Sequence, residues 1–142
     1  MTRRTVPVPL VALVDALLVI VFAAIGRESH DESHPAWGAL GTGWPFLVGA
    51  AVGWLIVLTV RRAAPLTVRQ SWPVWLAAVA VGMLLRRLTG AGIAFSFIVV
   101  ATIVLGVFLL GWRLLAAALL RDRSAGAIDR HPPAATSSAD QE

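Results

Sequence analysis

The chain has 142 residues, 58% hydrophobic and only 14% charged, with a net charge of +4 and no cysteine. Soluble domains carry about one quarter charged residues, so this composition excludes an ordinary soluble domain and points to a chain solvated by lipid. The absence of cysteine excludes disulfides, thiolate metal sites and a cysteine nucleophile.

The first apolar run covers residues 6–25 and holds one charge, Asp15. A membrane-spanning helix needs roughly 20 apolar residues, so the run is long enough. Pro7 and Pro9 fall in its first turn, where a missing N–H costs least. Arg3 and Arg4 before it would also suit a signal peptide, but Asp15, the lack of an A-x-A site and three further apolar runs favour a retained helix. Residues 26–43 are polar and glycine-rich and read as an outer loop containing Arg27, His30 and His34. The second run, 44–60, opens on Trp44-Pro45-Phe46 and carries Gly49 and Gly53 in G-x-x-x-G spacing, a helix-packing signal.

The third run, from Trp72 to Leu85, covers only about 21 Å. It crosses a ~30 Å hydrocarbon core if the helix continues to residue 88 through Arg86 and Arg87. Gly82 shares a face with Trp75, Val79 and Arg86, which predicts close helix approach there. The fourth run, 93–120, follows a Thr-Gly-Ala-Gly turn, and residues 121–142 read as a disordered cytoplasmic tail. The expected fold is therefore all-α: a polytopic bundle of four transmembrane helices over residues 1–120.

All twelve basic residues are arginine, and they cluster at the ends of apolar runs. That is how membrane proteins place positive charge, and no long basic stripe suggests nucleic acid. With the N terminus inside, nine arginines face the cytoplasm and Arg27, Arg86 and Arg87 face outward. The expectation is a multipass plasma-membrane protein with both termini cytoplasmic. Trp44, Trp72, Trp75 and Trp112 lie near run ends, where interfacial tryptophans belong.

Asp15 is the most informative residue, expected about 13 Å deep and near the midplane. A carboxylate there costs several kcal/mol unless paired or protonated. It reads either as a proton or cation site, or as an anchor pairing with an arginine or a hydroxyl to fix helix packing. Arg86 reads as an anion site or as the counter-ion of Asp15, against the plainer account of an arginine snorkelling to the interface. From these starts the two differ in depth by about 8 Å, so a polar core of Asp15 and Arg86 is expected. His30 and His34 have the spacing of a metal pair, but Asp31 stands where the zincin pattern needs Glu, and a solvated loop over the outer mouth is the plainer account. No nucleotide loop, nucleophile elbow or H-E-x-x-H motif is present, so no catalytic set, metal or cofactor is assigned.

The pieces Asp15, Gly26-Arg27-x-x-His30, Trp44-Pro45-Phe46 with Gly49, Gly53 and Trp54, Gly82-Met83-x-x-Arg86, Ser96-Phe97 with Val99 and Ala101, and Gly111-Trp112-Arg113 occur in that order. In them the chain resembles the actinobacterial and archaeal four-helix membrane proteins grouped as a domain of unknown function, DUF3054. The resemblance spans about residues 10–113 and implies a multipass membrane protein, with no activity attached. The residues leave three functional expectations. The first is a small transport or channel-like protein built on Asp15 and Arg86, embedded in the lipid bilayer and assembling with copies of itself or another membrane protein. The second is a structural or accessory protein that binds a partner or lipid. The third is a membrane enzyme acting at the outer loop.

Overall fold

A computed structural model describes residues 7–28 and 35–128, with side chains described for residues 7–26 and 38–119. Four helices follow one another: α1 Val8–Glu28, α2 Pro35–Arg61, α3 Val68–Leu88 and α4 Phe95–Ile128. Each contains a stretch long and apolar enough to cross a membrane: Val8–Gly26, Gly38–Arg61, Val68–Leu88 and Phe95–Leu119.

Three helices are longer than the hydropathy pattern suggests. α2 begins at Pro35, inside the segment expected as an outer loop. Proline suits the first helical turn, since its missing N–H would be unpaired there anyway. Gly38, Gly41 and Gly43 continue the helix despite their poor propensity. α4 runs on to Ile128, past the boundary expected at residue 120. The Leu- and Ala-rich stretch Leu114–Leu120 is strongly helix-forming, and no glycine or proline stops it. α3 starts at Val68, four residues before the apolar run, because Thr67 and Gln70 set its first turn. The Thr67 amide donates to the Gln70 side chain at 3.3 Å, and buried Ser71 donates to the carbonyls of Pro65 and Thr67 at 3.1 and 2.7 Å.

The helices run alternately up and down in a ring, α1 against α2, α2 against α3, α3 against α4 and α4 back against α1. The tightest seam joins α2 and α3. A Cβ placed on Gly49 would sit 2.8 Å from the Cα of Ala78, and one on Gly53 would sit 2.5 Å from the Cα of Val74. The two backbones approach that closely only because both positions lack a side chain, the small-residue packing that replaces hydrophobic drive inside a bilayer. Higher in the same seam, the Phe46 ring occupies the space a Cβ on Gly82 would need. Phe22, Phe46 and Phe97, from α1, α2 and α4, meet in the interior with ring centroids 5.3 to 6.4 Å apart. Val19, Val57, Val74, Leu105 and Leu109 fill the remaining core.

Large apolar side chains cover the outside: Leu55, Leu88, Phe95, Ile103 and Val107 are all at least 60% exposed. On a soluble protein such a surface would aggregate, whereas lipid solvates it. Of the tryptophans near run ends, Trp44 and Trp72 are exposed. Trp75 differs: its indole N–H turns inward to the Thr102 carbonyl at 3.0 Å over the space left by Gly106. A left-handed Gly90, φ 76, turns the chain after α3.

Candidate functional site

Asp15 lies on the inward stripe of α1, where every fourth residue (Val11, Asp15, Val19, Ala23) is buried. On α4 the stripe Ala101, Leu105, Leu109 continues in steps of four to Arg113. The two helices are antiparallel neighbours, so these stripes face each other and bring the charges together. Asp15 is 1% exposed and Arg113 3%.

The pair is bidentate. Arg113 Nη1 donates to Asp15 Oδ1 at 2.8 Å and Nη2 donates to Oδ2 at 2.7 Å. Trp54 of α2 donates its indole N–H to Oδ2 at 2.9 Å, and Trp112 of α4 donates to Oδ1 at 3.0 Å. Each carboxylate oxygen thus accepts two hydrogen bonds, the full capacity of an ionised carboxylate. Arg113 spends two further N–H groups on backbone carbonyls, Pro65 at 3.0 Å and Leu109 at 2.6 Å. Pro65, in the α2–α3 connection, also accepts from Ser71. One neutral, hydrogen-bonded cluster therefore ties all four helices together at the end of the bundle that carries the α2–α3 connection. Pairing of this quality offsets the desolvation of two charges in a low-dielectric interior.

The sequence-expected pairing of Asp15 with Arg86 does not occur. Asp15 lies about 10 Å along α1 from Val8 and Arg86 about 27 Å along α3 from Val68, both counted from the same end of the bundle. The later start of α1 and the early start of α3 together double the separation expected from hydropathy, and α1 and α3 share no contact among the described residues, which leaves Arg86 beyond reach. Arg86 instead donates from Nη2 to the Gly92 carbonyl at 3.2 Å, and its guanidinium lies 4.5 Å from the Phe97 ring centroid. Its Nε is buried with no hydrogen-bond partner among the described residues.

Gly49, Gly53 and Gly82 all lie on the α2–α3 seam. His30, His34 and the side chain of Arg27 lie outside the described residues. Among the described residues no three His, Asp or Glu side chains cluster as metal ligands. Sequence reasoning missed Arg113, Trp54 and Trp112 as the partners of Asp15. The usable signal was the four-residue spacing of Arg113 from Leu109 and Leu105, which puts it on an apolar face instead of at a free helix end.

Two hollows flank the cluster. One of about 370 Å³ lies between α1 and α2 and reaches Asp15 and Trp54 between alanines 12, 16, 50 and 51. The other, about 530 Å³, opens between α1, α4 and the start of α3 and reaches Trp112 and Arg113.

Four apolar helices with lipid-facing surfaces and a buried, paired charge cluster define a multipass integral membrane protein. The family model described as "Protein of unknown function (DUF3054)" matches residues 12–116, and the chain belongs to that family. The match takes in both ends of the Asp15–Arg113 pair. No curated protein and no solved structure matches the chain.

Proposed function

We propose that the protein is an accessory membrane protein that binds lipid or a second membrane protein, a copy of itself included, and does not conduct through its own bundle. The observation that carries this reading is the saturation of Asp15. Its four acceptor positions are taken by Arg113, Trp54 and Trp112, which leaves none for a permeating cation or proton relay. The interior beyond it is filled by Val19, Leu105 and the Phe22–Phe46–Phe97 cluster, with no polar path to Arg86 among the described residues. We orient the α2–α3 connection, with Arg61, Arg62 and Arg69, toward the cytoplasm, on the rule that short cytoplasmic loops carry the arginines. With that orientation both termini lie inside, and we place the protein in the plasma membrane.

A second reading, a small transport protein, is favoured by one feature. The 530 Å³ cleft reaches Arg113, so an anion entering it would compete with Asp15 for the guanidinium. Flux separates the two. Purified protein in liposomes, assayed with an entrapped pH-sensitive dye and with labelled phosphate under an imposed potential, should show no flux above empty liposomes. Flux above that of empty liposomes would overturn the accessory reading in favour of transport. The enzyme reading depends on His30 and has no supporting observation among the described residues.

A further inference from the structure

We infer that the cleft between α1, α4 and the start of α3 is a binding site for a phospholipid with an anionic headgroup. This rests on the lipid-binding part of the accessory reading and names its site. The cleft is amphipathic. Its walls are Val11, Leu66, Val68, Ala116 and Ala117, and its polar groups include Arg69 and Arg113. At about 530 Å³ it falls within the ~300–1,000 Å³ of ordinary ligand sites.

Among the described side chains the charge at this end is one-sided. Asp15 is the only carboxylate among the described side chains, and Arg113 neutralises it. Arg69 lines the cleft and, like Arg61 and Arg62 at the end of α2, is exposed. Among the described residues the side chains of Arg62 and Arg69 make no hydrogen bond or ion pair, and Arg61 makes one, from Nη1 to the Arg69 carbonyl at 3.3 Å. That carbonyl is available because Pro73, four residues on, has no N–H to donate to it. Arg61 is thereby held next to Arg69, two guanidinium-bearing residues from different helices at one rim.

The occupant follows from this combination. Basic pockets between transmembrane helices suit anionic lipid headgroups, and a phosphodiester fits the fork of an arginine. Acyl chains would lie along the apolar wall, where Ala116 and Ala117 keep the groove open. A free inorganic phosphate would use the arginines but has no use for the apolar walls. Arg113 is not offered to the headgroup, because its donors are committed to Asp15, Pro65 and Leu109; it forms the floor.

The test uses the full chain, delipidated in detergent and titrated with phosphatidylglycerol or phosphatidylcholine, with bound lipid read by native mass spectrometry. Phosphatidylglycerol should bind about tenfold tighter than phosphatidylcholine. Arg69→Ala should weaken phosphatidylglycerol about fivefold. Ala116→Leu, which fills the groove without changing charge, should weaken both lipids. Arg87→Ala, at the opposite end, should change neither. Millimolar inorganic phosphate should fail to displace the lipid, and displacement would overturn the proposal in favour of a free-anion site. Preferential phosphatidylglycerol binding untouched by both Arg69→Ala and Ala116→Leu would overturn this site while leaving lipid binding intact. Equal binding of the two lipids would overturn the anionic site while leaving lipid binding intact, and binding of neither would overturn the site and the lipid-binding reading together.

Discussion

Replacing Asp15 tests the organisation of the whole bundle. Asp15→Asn keeps the side-chain shape but removes the charge opposite Arg113. It also puts an N–H₂ group among donors from Arg113, Trp54 and Trp112. Arg113 would keep its bonds to Pro65 and Leu109, so its cation would stay buried and uncompensated. Breaking a buried pair from one side costs about 3–5 kcal/mol. Arg113→Met leaves the mirror problem, a buried carboxylate with only two indole donors, and should cost a similar amount. The combined Asp15→Asn, Arg113→Met variant buries no charge. It should lose no more than either single variant, which gives a coupling of about 3 kcal/mol or more. The assay is reversible unfolding by sodium dodecyl sulfate in bicelles, followed by tryptophan fluorescence. Additivity within about 0.5 kcal/mol would refute the pairing. The same cycle with Arg86→Met in place of Arg113→Met should be additive, since Arg86 contacts Gly92 and Phe97 instead.

Other outcomes follow from the same geometry. Trp54→Phe removes one hydrogen bond to a carboxylate and should cost about 1.5–3 kcal/mol in the same unfolding assay. Gly53→Ala places a methyl 2.5 Å from the Cα of Val74 and should cost about 1–3 kcal/mol, whereas Gly92→Ala, with nothing within 4 Å, should be close to neutral. Arg62 sits in the left-handed region, φ 48, directly after α2. Arg62→Gly should therefore stabilise by about 1 kcal/mol in the same unfolding assay, and unchanged or lower stability would refute strain at this position. Reporter fusions after Ala63 and after Gly92 should report opposite sides, with Ala63 cytoplasmic; an external signal at Ala63 would reverse the orientation.

The number of helices and their membrane character were legible in the sequence, because lipid demands long apolar runs and internally satisfied backbone, and both leave a one-dimensional record. Asp15 stood out for the same reason, as the lone charge in a run of apolar residues. The G-x-x-x-G pair marked a close helix approach without saying which helix approaches. Helix ends were poorly legible: hydropathy ends where polar residues begin, but Pro35, the Thr67–Gln70 turn and the alanine-rich end of α4 carry the helices further. That error of a few residues misplaced the depth of Arg86 relative to Asp15, because each residue shifts depth by 1.5 Å. Only the tertiary structure could choose Arg113 over Arg86. The choice depends on α1 and α4 closing the ring side by side, and on two inward stripes meeting at one level. Those are relations between segments 98 residues apart, set by packing of all four helices at once and recorded in no local stretch of the chain.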